Sequence, residues 1–332
     1  MRLRQLTGNP RARRGQRPLR TVRTVAALVL IGWLAVAPNG NGAAAAARSQ
    51  LRLTHFRLDA PPVAVTSSHG SVWVVEETSR MRADLVRLDP TTGKRVATFL
   101  IGRTGPDFGS VKMSGAYIWA AAGTHIIRID ATHPHNVKRA TLPGEASAVT
   151  VGLGSAWVAS IGQQTDTITR LDASTLAVQA QIRLTFQPVA LAAGLGSIWL
   201  ASPSGLWRID PANNHLIPAP DPVPLPVSLA VAGKHLWVIE QDQHAVSIDR
   251  AGRVRTQLAL PFAPGAFALT PGHIWVTDNC GCRVGRLAVV NTHTRRLLAK
   301  QSIGETPVYV APDRGGVWVA TFGDETISFA RA

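Results

Sequence analysis

Seven tryptophans recur along the chain at near-regular spacing, and this repeat constrains the fold more than any other feature. The gaps between them are 46, 38, 42, 38, 38 and 43 residues, and each tryptophan lies in a short apolar run. A period near 40 residues with strand-like segments is typical of a β-propeller, in which each repeat forms one blade. The sequence therefore predicts an all-β fold, a seven-bladed β-propeller. The repeated residues are Trp73, Trp119, Trp157, Trp199, Trp237, Trp275 and Trp318.

Aligning the repeats on these tryptophans shows what each blade contains. Proline stands eleven residues before the tryptophan in five of the seven repeats, which suits the first residue of a strand because no ladder hydrogen bond is lost there. Each repeat then predicts four strands, with the tryptophan in the second and a motif such as Arg87-Leu-Asp89 ending the third. The first two strands are apolar throughout, as expected for strands covered on both faces. The tryptophans are therefore predicted to pack between blades.

The last repeat lacks a fourth strand, and the other end of the propeller region supplies one. After Trp318 the chain offers one further apolar segment, residues 326–329, whereas residues 51–58 form an unassigned strand-like segment. Pairing this segment with the last blade closes the ring and leaves no open edge. The sequence predicts one propeller domain over residues 48–332, and a monomer.

The N-terminal segment, residues 1–47, is predicted to be an export signal. It holds eight arginines and no acid, then an apolar run over residues 25–37 and small residues over 43–47, as secretory signals do. Thirteen apolar residues are fewer than the roughly 20 that a membrane span needs; an uncleaved anchor is the alternative and the only predicted link to a membrane. The expected location is extracytoplasmic, either secreted or in the cell envelope.

The strong positive charge of the chain, +15, comes largely from that segment. Without it, 27 basic and 20 acidic residues remain, a net charge of +7 that is scattered along the sequence. Scattered charge of this size predicts a mildly basic surface and gives no strong signal for nucleic-acid binding.

The aligned repeat resembles a known bacterial family. The pattern Pro-x-x-(apolar), Gly-Ser-(apolar)-Trp-Val-Ala, Arg-(Ile/Leu)-Asp-Pro-x-x-Gly resembles the YVTN-type (YncE-like) propeller repeat over residues 50–332, and is more distantly similar to the repeats of streptogramin B lyases. The resemblance implies an exported propeller, a group that includes binding proteins, sensors and a few enzymes. The lyases are expected to use histidine, acidic residues and a magnesium ion near the channel. No histidine here matches their catalytic position, and none is assigned.

Two residues interrupt the small side chains of the predicted innermost strands. The second and fourth positions after the proline column are Ala, Ser or Thr in every other repeat, but Tyr309 and Lys112 occupy them in blades 7 and 2. A lysine among packed strands must reach water or an acid, because an unpaired buried charge is costly. Either both residues line a polar channel for an anionic or carbonyl-bearing ligand, or Lys112 extends to solvent and Tyr309 fills a gap.

The predicted loops between the second and third strands supply the other candidate contacts. They are longest at residues 76–84, 163–166 and 278–283, and loops on a rigid ring are natural binding elements, though they also vary without consequence. From these loops and the corresponding loop of blade 7, the candidate ligand-binding residues are Arg80, Arg82, Asp278 and Asp324.

Cys280 and Cys282, the only two cysteines, lie in one of these loops. In an exported protein they are predicted to form a disulfide. A redox pair and a two-thiolate metal site are the alternatives.

The sequence as a whole predicts an exported binding or interaction scaffold. Its partner would be an unknown small molecule or envelope protein, held at the channel mouth and the upper loops. No cofactor and no metal site are predicted, because none of the ten histidines falls in an innermost strand. The alternative is a lyase or hydrolase of the streptogramin-lyase-like kind that depends on a divalent metal. That alternative requires acids or histidines that converge at coordination distance.

Overall fold

The computed structural model of the chain describes residues 50–78, 82–103, 109–278 and 283–332. Within these residues all regular structure is β-strand, and no helix is present that is long and apolar enough to cross a membrane. The strands form seven sheets, each of four antiparallel strands. This arrangement confirms the predicted seven-bladed β-propeller.

Blades 1 to 4 have the same up-and-down order, with the first strand innermost and the fourth outermost. The first strand of each of these blades begins at or near the proline column. A proline there stands where the strand needs no backbone donor. The strands are β2 Pro62–Ser68, β3 Ser71–Thr78, β4 Arg82–Leu88 and β5 Arg95–Arg103; β6 Gly109–Ser114, β7 Tyr117–Ala122, β8 His125–Asp130 and β9 Val137–Thr141; β10 Glu145–Gly152, β11 Ser155–Ile161, β12 Asp166–Asp172 and β13 Val178–Leu184; and β14 Ala190–Gly194, β15 Ser197–Ser202, β16 Gly205–Ile209 and β17 Leu216–Pro218.

Blades 5 and 6 repeat this order, and blade 7 takes its outermost strand from the beginning of the described chain. The strands are β18 Pro226–Ala232, β19 His235–Glu240, β20 His244–Ile248 and β21 Val254–Ala259; β22 Pro264–Thr270, β23 His273–Asp278, β24 Gly285–Asn291 and β25 Leu297–Gly304; and β26 Pro307–Asp313, β27 Gly316–Thr321, β28 Thr326–Arg331 and β1 Arg52–Arg57.

The ring closes as the sequence predicts. β1 pairs antiparallel with β28, from Arg52 opposite Arg331 to Arg57 opposite Thr326. Beyond the strand, the Leu58 amide donates a 2.8 Å hydrogen bond to the Glu325 carbonyl. The innermost strands contact one another in sequence around the whole ring, and β26 of blade 7 contacts β2 of blade 1. Closure therefore rests on both backbone pairing and the packing of neighbouring blades.

The hydrophobic core lies between blades and not within a single sheet. Seven apolar clusters fill the seven gaps between neighbouring blades. The cluster between blades 1 and 2, for example, joins Trp73 and Leu85 to Ile118 and Ile127. Four of the seven repeated tryptophans are at most 1% exposed. Since truncating such a residue typically costs about 3–5 kcal/mol, the tryptophan repeat is explained by packing between blades.

The Arg-(Ile/Leu)-Asp motif also joins blades. Arg170 donates from Nη1 to the Pro211 carbonyl at 2.7 Å and to Asn214 Oδ1 at 3.0 Å, both in the next blade. Its guanidinium carbon lies 4.8 Å from the centroid of the Trp157 ring. In blade 2, Arg128 makes the corresponding hydrogen bond to a carbonyl of blade 3. In blades 2 and 3 the arginine of the motif therefore covers its own tryptophan and links its blade to the next.

The aspartate of the motif shapes the turn that follows. Asp172 Oδ1 accepts hydrogen bonds from the backbone amides of Ser174 and Thr175, both at 2.8 Å. The same pattern at Asp89 and Asp130 lowers the pKa of each carboxyl to about 2, because neighbouring side-chain and backbone donors stabilise the ionised form. The motif is thus a structural element of the repeat.

Candidate functional site

The turns between the second and third strands and the connections between blades lie on one side of the ring, because all four strands of each blade run antiparallel. We call this side the hairpin face. Within the described residues its turns are 123–124, 162–165, 203–204, 241–243 and 322–325.

Lys112 and Tyr309 meet across the innermost strands. Lys112 lies in β6 of blade 2 and Tyr309 in β26 of blade 7, with β2 of blade 1 between them. Nζ of Lys112 is 5.8 Å from the centroid of the tyrosine ring, and the tyrosine hydroxyl donates a 3.4 Å hydrogen bond to the Val111 carbonyl. In the described part of the chain, no carboxylate pairs with Lys112. Its partner is therefore the ring face, a contact worth about 0.5–1 kcal/mol where it is partly exposed.

Tyr309 also packs against apolar side chains. Its ring borders the cluster between blades 7 and 1 and the cluster between blades 1 and 2. The tyrosine is therefore a packing residue whose hydroxyl and ring face remain beside a lysine. The two sequence interpretations of this position are compatible.

A ring of buried polar residues lies three positions after the repeated tryptophans, at the end of each second strand. Six of the seven are polar, and all seven are at most 3% exposed. Of this column only Asp278 is among the residues predicted from the sequence, although a polar residue ending an otherwise apolar strand is visible in the aligned repeats. The column consists of Glu76, Ala122, Ser160, Ser202, Glu240, Asp278 and Thr321.

Glu76 borders a cavity of about 480 Å³ on the hairpin face of blade 1, which Asp59, Arg95 and Glu325 also line. Arg95 joins two carboxylates there, with Nη2 at 2.9 Å from Glu76 Oε2 and 2.8 Å from Asp59 Oδ2. The other Glu76 oxygen is buried and accepts no hydrogen bond from any described residue. Burial raises the pKa of the Glu76 carboxyl to about 7, although Arg95 opposes the rise.

Blade 5 carries a different group at the same position. Glu240, Asp242 and His244 each offer one ligand atom, and these atoms lie within 4.8 Å of one another. Nδ1 of His244 is 3.1 Å from Asp242 Oδ1. Burial raises the pKa of the Glu240 carboxyl to about 7; the charge of Asp242 adds to the rise and that of His244 opposes it.

Of the other predicted contacts, the three that the structure describes lie in three different blades. Arg82 binds Asp84 at 2.8 Å. Asp278 is 2% exposed and is held by Arg286 at 2.6 Å. Asp324 accepts a 2.8 Å hydrogen bond from the Glu305 amide. Arg80, Cys280 and Cys282 lie outside the described residues, so their predicted roles remain predictions.

One predicted loop is largely strand. The charged residues at 76–84 predict a loop, but β3 continues to Thr78 and β4 begins at Arg82. The hairpin extends because pairing satisfies its charges, as Arg82 does for Asp84.

Comparisons with known proteins identify the fold and no family. No family model matches the chain, and no curated protein matches it. Among solved structures, the β-propeller domain of Cps50 (Swd1) from Myceliophteria thermophila aligns with a TM-score of 0.65 and 12% identity, covering 84% of this chain and 98% of that one. Hydrazine synthase of Kuenenia stuttgartiensis aligns with a TM-score of 0.63 and 16% identity, covering 84% and 98%.

Raptor of Chaetomium thermophilum aligns with a TM-score of 0.63 and 12% identity, covering 84% of this chain and 29% of the Raptor chain. At such identities the likeness extends to the fold alone, since one propeller fold serves many functions.

Proposed function

We propose that this chain is an exported propeller of the YVTN-type, YncE-like group, and that it binds an anionic or carbonyl-bearing ligand beside Lys112 and Tyr309. The ligand is a small molecule or an exposed group of an envelope protein. The proposal is supported by the repeat pattern and by the arginine-rich, then apolar, N-terminal segment over residues 1–47.

The observation that carries the proposal is a lysine without an acidic partner among the innermost strands. Lys112 is half-buried, no described residue forms an ion pair with it, and its ammonium group lies 5.8 Å from the centroid of the Tyr309 ring. A lysine ammonium has three hydrogen-bond donors, and a ring face satisfies none of them fully. A carboxylate or carbonyl oxygen of a ligand would accept these bonds, and Tyr309 offers a hydroxyl beside it.

The test combines ligand discovery with matched variants. Native mass spectrometry of full-length protein, purified from a host that exports it, looks for a co-purified small molecule. Thermal melts in acetate, succinate and citrate, at constant pH and ionic strength, then measure carboxylate binding directly. Saturating ligand at 100 times Kd would stabilise the protein by about 2.7 kcal/mol.

The variants separate binding from packing. Lys112→Ala should abolish the stabilisation by carboxylates and leave the ligand-free melt nearly unchanged. Lys300→Ala is the matched control, because Lys300 also lies over an aromatic ring, 5.5 Å from the centroid of Phe262, on the outer strand β25. A carboxylate response that survives Lys112→Ala, or no response in the parent protein, would contradict the proposal.

The alternative function, a divalent-metal-dependent lyase or hydrolase, is supported by a single observation. Glu240, Asp242 and His244 bring acids and a histidine to coordination distance on the hairpin face. Binding is the function that we propose, because the contact between Lys112 and Tyr309 offers donors for a ligand directly.

A further inference from the structure

Three blades place a buried carboxylate at the same position, and two of them neutralise it with an arginine. Glu76 in blade 1 pairs with Arg95 at 2.9 Å, and Asp278 in blade 6 pairs with Arg286 at 2.6 Å. Both carboxylates are at most 2% exposed. A buried carboxylate requires such a partner, because an uncompensated buried charge is costly.

Blade 5 has the carboxylate without the arginine. Glu240 is 3% exposed, yet no described side chain or amide donates a hydrogen bond to it and no lysine or arginine pairs with it. Its charged neighbours are Asp242, which repels it, and His244, which attracts it only when protonated. The ligand atoms of the two carboxylates and the imidazole lie within 4.8 Å of one another. Among the described residues, no lysine or arginine stands beside Glu240 to balance its charge.

The backbone holds these three groups together. Glu240 and His244 are directly opposite each other where β19 and β20 pair, and Asp242 lies at the centre of the three-residue turn between them. Gln243 adopts a left-handed conformation with φ of 71°. The Gln241 amide donates to the Leu225 carbonyl at 3.1 Å, and the Leu260 amide donates to the Gln243 carbonyl at 2.7 Å. Connections on both sides of the turn thus fix its position.

We propose that Glu240, Asp242 and His244 bind one divalent transition-metal ion, for which zinc is the natural choice. Imidazole and carboxylate are common zinc ligands, and a set of three protein ligands leaves a coordination position for water or a bound molecule. The ion takes the place that Arg95 and Arg286 hold in blades 1 and 6. His244 supports this assignment, since its Nδ1 is buried and the 3.1 Å approach to Asp242 does not form a hydrogen bond.

The experiment is a zinc titration of the full-length chain by calorimetry and native mass spectrometry, after treatment with a chelator and dialysis. The expected result is one zinc ion per chain, and raised thermal stability on saturation. His244→Ala and Asp242→Asn should each weaken zinc binding by at least about tenfold. Asp242 is 54% exposed, so its variant tests the site without disturbing a buried side chain.

His133→Ala is the matched control, because His133 also stands beside an aspartate, at 3.6 Å from Asp130, but is 76% exposed and has no third ligand group among the described residues. It should bind zinc like the parent protein. Cobalt replacement adds a second readout, since a visible absorption band that is lost in His244→Ala reports imidazole coordination directly. Lack of stoichiometric zinc binding, or zinc binding of unchanged affinity in both His244→Ala and Asp242→Asn, would overturn the proposal.

Discussion

Glu76 makes the stability of the propeller depend on pH in a direction that can be calculated. Its carboxyl is 1% exposed, and burial raises its pKa from 4.5 to about 7. Between these values the folded chain holds a proton that the unfolded chain has released. The free energy of unfolding contributed by this group therefore falls as the pH rises from about 4.5 to about 7. Glu76→Gln removes the titration and keeps an oxygen that can accept from Arg95.

The pKa rise sets the size of the effect. At about 1.4 kcal/mol for each pH unit, the rise from 4.5 to about 7 corresponds to at most about 3 kcal/mol. Solvent in the adjoining cavity, of about 480 Å³, screens the charge. We therefore expect the parent protein to lose about 1–2 kcal/mol relative to Glu76→Gln between pH 5 and pH 8.

Urea unfolding of both proteins at pH 5 and pH 8 measures this difference. Every other titrating group, Glu240 included, is present in both proteins and cancels in the comparison. Glu325→Gln is the matched control, because it removes a half-exposed carboxylate from the same cavity. If the stability difference between parent and Glu76→Gln is the same at both pH values within about 0.5 kcal/mol, the proposed burial effect is wrong.

Three further predictions concern closure, the links between blades, and the cysteines. Deleting residues 48–60 removes β1 and exposes β28, so circular dichroism melts should lose their cooperative transition and light scattering should show aggregation; an unchanged melting temperature would refute closure by this strand. Arg170→Lys should cost about 1–2 kcal/mol in urea unfolding, because lysine cannot reproduce its planar contacts to blade 4 and Trp157, whereas the exposed Arg183→Lys in the same blade should cost little. Thiol counting on denatured, non-reduced exported protein should find no free cysteine, and reduction should change stability by less than about 1 kcal/mol, because the loop from Cys280 to Cys282 is so short; two free thiols would favour a redox or metal role.

Sequence predicts the architecture of this protein well because burial in a propeller follows the repeat. A strand between two blades is covered on both faces, so it is apolar throughout and recurs once per blade. The tryptophan spacing and the proline column both indicate these repeated strands. Closure by residues 51–58 also follows from the sequence, because a last repeat that lacks one strand implies a donor elsewhere.

The extent of the blade 1 hairpin could not be predicted in this way. Glu76, Arg82 and Asp84 are charged, and charged residues near a turn ordinarily indicate a loop. The structure keeps them in strands because Arg95 neutralises Glu76 and Arg82 neutralises Asp84. Arg95 comes from the outermost strand, 19 residues after Glu76, so no local sequence pattern predicts that the two residues pair.

The candidate sites, too, could be predicted only in part from the sequence. The sequence identifies Lys112 and Tyr309 as exceptions to their columns, but only the ring brings residues 197 positions apart in the sequence to 5.8 Å. The blade 5 cluster lies within five consecutive residues, but the case for a metal site there depends on the absence of a basic side chain beside Glu240, which the sequence does not reveal. Glu240 differs from Glu76 and Asp278 because no arginine among the described residues reaches it.

Comparing the same position in different blades therefore distinguishes charged groups that are paired within the protein from charged groups that are available to a ligand. Arg95 and Arg286 occupy the carboxylates of blades 1 and 6, which makes Asp278 a poor candidate for binding. Among the described residues, the ammonium of Lys112 in the innermost strands and the carboxyl of Glu240 on the hairpin face have no oppositely charged lysine, arginine or carboxylate partner. They carry opposite charges and attract different ligands. Lys112→Ala should abolish carboxylate binding and leave zinc binding intact, and His244→Ala should do the reverse. A single variant that removes both would mean that the two sites are coupled through the ring.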